Sequence, residues 1–142
     1  MFQVGQLENT LCLFGALFAL WKGGVAERGV AVVVIANLFV GQIGRLVAPS
    51  GDQLIRLVSD GLTALILLGI TVRYAALWMG GVMMFFAIQF SLHSYYLVME
   101  RPIDHLYAVI NNFDFVSINL CLIIGVAVAW SRRERIRRAA EA

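Results

Sequence analysis

Five apolar stretches, with no gap between them longer than seven residues, constrain this chain more than any other feature in it. They cover approximately residues 6–21, 29–48, 53–72, 74–99 and 106–130. Crossing about 30 Å of hydrocarbon takes roughly 17–25 helical residues. Each stretch meets that length or comes close to it. The separators, residues 22–28, 49–52, 73 and 100–105, are short and carry the charges, Gly and Pro expected of aqueous turns. Ser50 followed by Gln53, with Asp52 beside them, is a helix-start signal for the third stretch. The expected fold is all-α: an integral membrane helical bundle of about five transmembrane helices. Residues 1–131 form a single transmembrane domain and residues 132–142 a basic cytoplasmic tail.

The first stretch is the shortest, with an uninterrupted apolar part over residues 11–21. Four spanning helices plus a re-entrant N-terminal segment is therefore the alternative. A secretory signal is not expected, because Gln6, Glu8 and Asn9 stand where a basic leader region would be.

Composition excludes the other classes. The chain is 61% hydrophobic and 14% charged, with a mean hydropathy of +0.82. Soluble domains are about 45–50% apolar and about 25% charged, and soluble monomers rarely display large apolar patches. That removes a soluble enzyme, a disordered chain, a nucleic-acid-binding domain and a disulfide scaffold. Cys12 and Cys121 both fall inside apolar stretches with no cysteine or histidine at metal-ligand spacing, so they read as small packing residues.

The net charge of +2 comes from the tail, where Arg132, Arg133, Arg135, Arg137 and Arg138 follow the last apolar stretch directly. Such a run marks a cytoplasmic end near anionic headgroups. With five spans, the inner side also holds Lys22, Arg28 and Arg73, while Arg45, Arg56 and Arg101 lie outside. The bias places the N-terminus outside and the C-terminus inside. Gly41, Gly44, Ala76, Gly80 and Gly81 are expected to let neighbouring helices approach closely. A bundle this small is suited to pairing with copies of itself or joining a larger membrane complex; nucleic acid is not an expected partner.

Depth is the informative signal for function. The inner halves of the stretches carry Asn37, Thr71, Tyr74 and Asn119 but no carboxylate, His, Arg or Lys. Every outer half is polar. Its residues align on helix faces: Gln89, His93, Tyr96 and Glu100; Tyr107, Asn111, Asp114 and Ser117; Arg56, Asp60 and Thr63. Spacings of three and four stack side chains along one stripe. A charge near the bilayer centre costs several kcal/mol, so such residues face the bundle interior or a water-filled cavity. Asp60, His93 and Asp114, with Gln89, Asn111, Tyr96 and Arg45, are the expected lining of a pocket that opens outward above an apolar floor. Arg45 and Arg56 also read as side chains that snorkel towards the Pro49–Asp52 turn, with an Arg45–Asp60 ion pair as the second reading.

No His-Glu-x-x-His, phosphate loop or nucleophile elbow occurs. A metal would have to use Glu100, Asp104 and His105 at the outer mouth. His93 and His105 are the two histidines on which a haem could rest, and His105 stands beside a loop. No cofactor is specified. Residues 73–78, Arg-Tyr-Ala-Ala-Leu-Trp, followed by residues 86–93, Phe-Ala-Ile-Gln-Phe-Ser-Leu-His, resemble a pattern in small polytopic inner-membrane proteins of bacteria. The resemblance covers about a quarter of the chain; it implies a bacterial inner membrane and brings no activity with it. The residues favour a binding or accessory subunit over an enzyme. A proton- or ion-coupled transporter or channel protomer, and a haem- or quinone-contacting redox anchor, are the alternatives.

Overall fold

The computed structural model describes the backbone of residues 2–47 and 52–141, and the side chains of residues 10–44, 46–47 and 53–141. The described residues form five helices: α1 (Phe2–Lys22), α2 (Val25–Val47), α3 (Asp52–Tyr74), α4 (Leu77–Val98) and α5 (His105–Glu141). Their bounds follow the apolar stretches closely, and no strand occurs among the described residues. Helices α2 to α5 are long and apolar enough to cross a membrane; the apolar part of α1, Thr10–Lys22, is shorter. The helix α5 runs on through the arginine-rich segment to Glu141. Ser50 lies outside the described residues.

Short turns force consecutive helices antiparallel. Each packs on the next, and α5 returns to pack on α1, so the five close into a ring with α2 touching α5 across it. The outer surface is apolar, as Phe14, Leu17, Leu65, Leu77, Phe113 and Ile124 are all exposed. That is the surface a lipid environment accepts and water does not.

Two turns use a left-handed residue that is not glycine. Ala75 (φ 47°) ends α3 with its N–H donating to the Thr71 carbonyl at 2.8 Å. Glu100 (φ 47°) ends α4, with Arg101 N–H reaching the Tyr96 carbonyl and Glu100 N–H the Leu97 carbonyl. The latter pair of bonds is the Schellman closure, usually built on Gly. Asp104 then starts α5, its carboxylate accepting from the Tyr107 N–H at 2.8 Å.

Of the glycines expected at close approaches, Gly81 is at one, and Gly15 and Gly125 join it. A Cβ on Gly41 or Gly80 would meet nothing. Gly81 faces the Cys121 sulfur, Gly15 faces Ile123, and Gly125 lies under the Trp78 ring, where a Cβ would sit 2.3 Å from a ring carbon. The tight seams are α4–α5 and α1–α5. Ala76 is the residue before α4, where it packs half-buried against the core.

At the α5 C-terminal end the ring is filled by small and branched apolar residues: Ala16, Ala19, Val30, Ala31, Leu67, Met79, Leu122 and Val126 are buried. Most buried polar side chains, Ser59, Asp60, Gln89 and His93 among them, gather towards the end marked by Val98 and His105, while Glu27 is buried at the other end.

Candidate functional site

Four helices contribute to one buried hydrogen-bonded chain. Asp60 of α3 is 2% exposed and His93 of α4 is 3% exposed. The His93 Nδ1 and an Asp60 carboxylate oxygen are hydrogen-bonded. The other Asp60 oxygen accepts from the Asn37 amide of α2 at 3.2 Å, and the Asn37 carbonyl accepts from the Ser59 hydroxyl. On the far side, His93 Nε2 lies 3.2 Å from Asn111 Oδ1 of α5. Both imidazole nitrogens are thus engaged, and the sequence Ser59–Asn37–Asp60–His93–Asn111 crosses the ring. Counting 1.5 Å per residue, Asp60 lies about 12 Å from the start of α3 and His93 about 8 Å from the end of α4.

This chain borders a cavity of ≈ 80 Å³. Its polar lining includes Asn37, Gln42, Arg56, Ser59, Asp60, Gln89, His93 and Asn111, while Val34, Phe86 and Ile118 form apolar wall and floor. A water needs about 10–15 Å³ of such space and two to four polar partners, so the cavity has room for a few waters or a small polar group.

Of the residues expected at a pocket, His93, Asp60, Gln89 and Asn111 therefore meet around one cavity. Tyr96 stands above it instead. The Tyr107 ring lies 5.6 Å from the His93 ring, the Tyr96 ring packs edge-on against Tyr107 at 4.9 Å, and the Tyr96 hydroxyl donates to Asp104 at 2.6 Å. These rings seal the α4–α5 side of the site. Donation by the Tyr96 hydroxyl, then by the Tyr107 N–H, holds the Asp104 carboxyl below the usual carboxylate range.

Asp114 is 1% exposed and lies off the cavity lining, with both carboxylate oxygens lacking a hydrogen-bond partner among the described residues. Gln89 Oε1 and Asn119 Oδ1 are orphaned in the same way. The side chain of Arg45 falls outside the described residues, as do those of Glu8, Asn9 and Asp52.

Asn37 and Ser59 are the members that sequence reasoning left off the pocket, Asn37 because it sits in the apolar inner half of its span. Asn37 continues the buried stripe of Val30 and Val34 at helical spacing, and that periodicity marks it as inward-facing. No family model, no curated protein and no solved structure matches this chain.

Proposed function

We propose that this protein is a multi-pass bacterial inner-membrane binding or accessory subunit, with an outward-facing intramembrane pocket that takes a small hydrogen-bonding ligand. One observation carries the reading: four helices converge polar side chains on a cavity around the Asp60–His93 pair. Ligand pockets combine apolar walls with a few convergent polar groups in this way. The bacterial inner membrane rests on the sequence resemblance, and the outward orientation on the distribution of Lys and Arg.

Ion-coupled transport has the buried Asp60–His93 pair in its favour, since paired ionisable side chains inside a membrane span mark ion and proton pathways. The apolar packing beneath the cavity, and helices that run unbroken among the described residues, weigh against an ion path through one chain. Haem ligation by His93 would require it to give up Asp60 or Asn111, in a space far smaller than a porphyrin.

Cysteine accessibility tests the reading. With Cys12 and Cys121 replaced, a cysteine at position 93, and separately at Gln42, should react with membrane-impermeant thiol reagents added from outside, with a cysteine at His105 as the positive control. Labelling at 105 without labelling at 42 or 93 would remove the water-accessible pocket.

A further inference from the structure

A second concavity, ≈ 520 Å³, runs along the lipid-facing side of α2 and α3. Its walls are Val33, Val40, Val58, Leu62 and other apolar side chains, most of them exposed. Its floor is different. Asn37 and Ser59, the two residues joined by the hydroxyl-to-carbonyl hydrogen bond, line this groove and the polar cavity alike. A single pair of side chains therefore separates a bilayer-facing apolar groove from a buried polar chamber.

We propose that the Ser59–Asn37 pair is a lateral gate and that the ligand is a single-chain amphiphile with a small hydrogen-bonding head, an alcohol or a carboxylate, drawn from the bilayer. The proposal rests on the pocket reading above and names the ligand class for it. The chain lies in the groove between α2 and α3, and the head passes the gate to reach Asp60, His93 and Asn111. Size limits the head: ≈ 80 Å³ holds a hydroxyl or carboxyl with a water or two, not a phosphodiester headgroup with its glycerol. The opposite side of the chamber is closed by the Tyr96 and Tyr107 rings.

The physics also says where selectivity must arise. An acyl chain gains almost nothing by leaving lipid tails for an apolar groove, because the two environments are equally apolar. A polar head, by contrast, is costly to place in hydrocarbon and is satisfied in the chamber. Head recognition, not chain burial, sets occupancy.

The experiment uses the full chain in phosphatidylcholine nanodiscs with three diazirine probes: a palmitic acid analogue, a hexadecanol analogue and a head-free hexadecane analogue. At least one headed probe should label groove residues such as Val33 and Val58 about fivefold over the exposed Leu17 and Ile124, the ratio that one net hydrogen bond confers. Which headed probe does so distinguishes carboxylate from alcohol. Leu62→Trp, an exposed position where the ring fills the groove, should return labelling to the background level, and Asn111→Leu, which removes a partner of the head, should lower the advantage of the headed probes. Uniform labelling around the bundle, or equal groove labelling by the head-free probe, overturns the proposal. Groove labelling at background while position 93 remains reactive from water overturns it too, leaving the pocket reading intact with a ligand that arrives from solution.

Discussion

The Asp60 carboxylate and the His93 imidazole, 33 positions apart in the chain, are hydrogen-bonded from neighbouring helices, and each holds a second partner, Asn37 and Asn111. Replacing Asp60 therefore disturbs two neighbours at once. Asp60→Asn keeps an acceptor for Asn37 or His93, whereas Asp60→Leu strands both, at about 1–3 kcal/mol for each buried group. Thermal unfolding in detergent should rank wild type above Asn and Asn above Leu. Asp114 should rank the other way. Its oxygens have no hydrogen-bond partner among the described residues, so Asp114→Leu removes a buried polar group at little loss and should match or exceed Asp114→Asn. The same order at both positions would contradict the partner assignments.

That contrast also shows what was legible in the sequence. The all-α bundle and its turns follow from where apolar runs stop, and the stripes of α3, α4 and α5 point His93, Asp60 and Asn111 inward. Spacing cannot say which inward polar groups find each other, so Asp60 and Asp114 looked alike until three-dimensional neighbours separated them. Asn37 was hidden by depth, since polarity was read per half-span rather than per face. The αL residues were illegible for a different reason: Ala75 and Glu100 carry none of the glycine signal that usually marks such a turn.

Asp104 gives a pH dependence with a definite sign. Its folded carboxyl is held below the ordinary value of 3.8, first by the Tyr96 hydroxyl and then by the Tyr107 N–H. A depressed carboxylate contributes stability in full above its unfolded value and loses it as pH falls through the folded one. Wild type should therefore lose an increment of stability below about pH 4 that Asp104→Asn does not show. Tyr96→Phe, which removes the larger cause, should shrink that increment. Apparent Tm measured across the acid range reads all three.

The left-handed turns predict gains. An L-residue in αL costs about 1–2 kcal/mol, part of which glycine returns through its greater unfolded-state freedom. Glu100→Gly and Ala75→Gly should each raise stability by about 0.5–1 kcal/mol. The two turns lie at opposite ends of α4, so the double variant should show the sum. Glu100→Ala keeps the strain and should show no gain, which separates the backbone effect from loss of a carboxylate.

Orientation follows from charge and is read by fusions. A periplasm-active reporter at the N-terminus and a cytoplasm-active reporter at the C-terminus should both be functional, and the converse pair silent. Two cytoplasmic termini would mean that α1 packs in the ring without crossing, leaving α2 to α5 as the four spans.

Arg133 makes the last prediction, because its side chain does more than face headgroups. Its guanidinium donates to the Lys22 carbonyl at 2.6 Å, at the C-terminus of α1, and lies 3.9 Å from Glu27. Glu27 in turn accepts from the Gly24 N–H at 2.7 Å, at the start of α2. One planar cation thus answers an orphan carbonyl at the negative end of α1 and a carboxylate at the positive end of α2. Arg133→Ala should cost about 1 kcal/mol, discounted for a half-exposed side chain. Arg133→Lys should recover only part of it, since an ammonium lacks the fork that spans two acceptors. Arg132→Ala, one position away on an exposed face, removes the same charge and should leave Tm unchanged. Equal losses at 132 and 133 would reduce both arginines to general attraction for anionic lipid, with no specific tie between α5 and the α1–α2 turn.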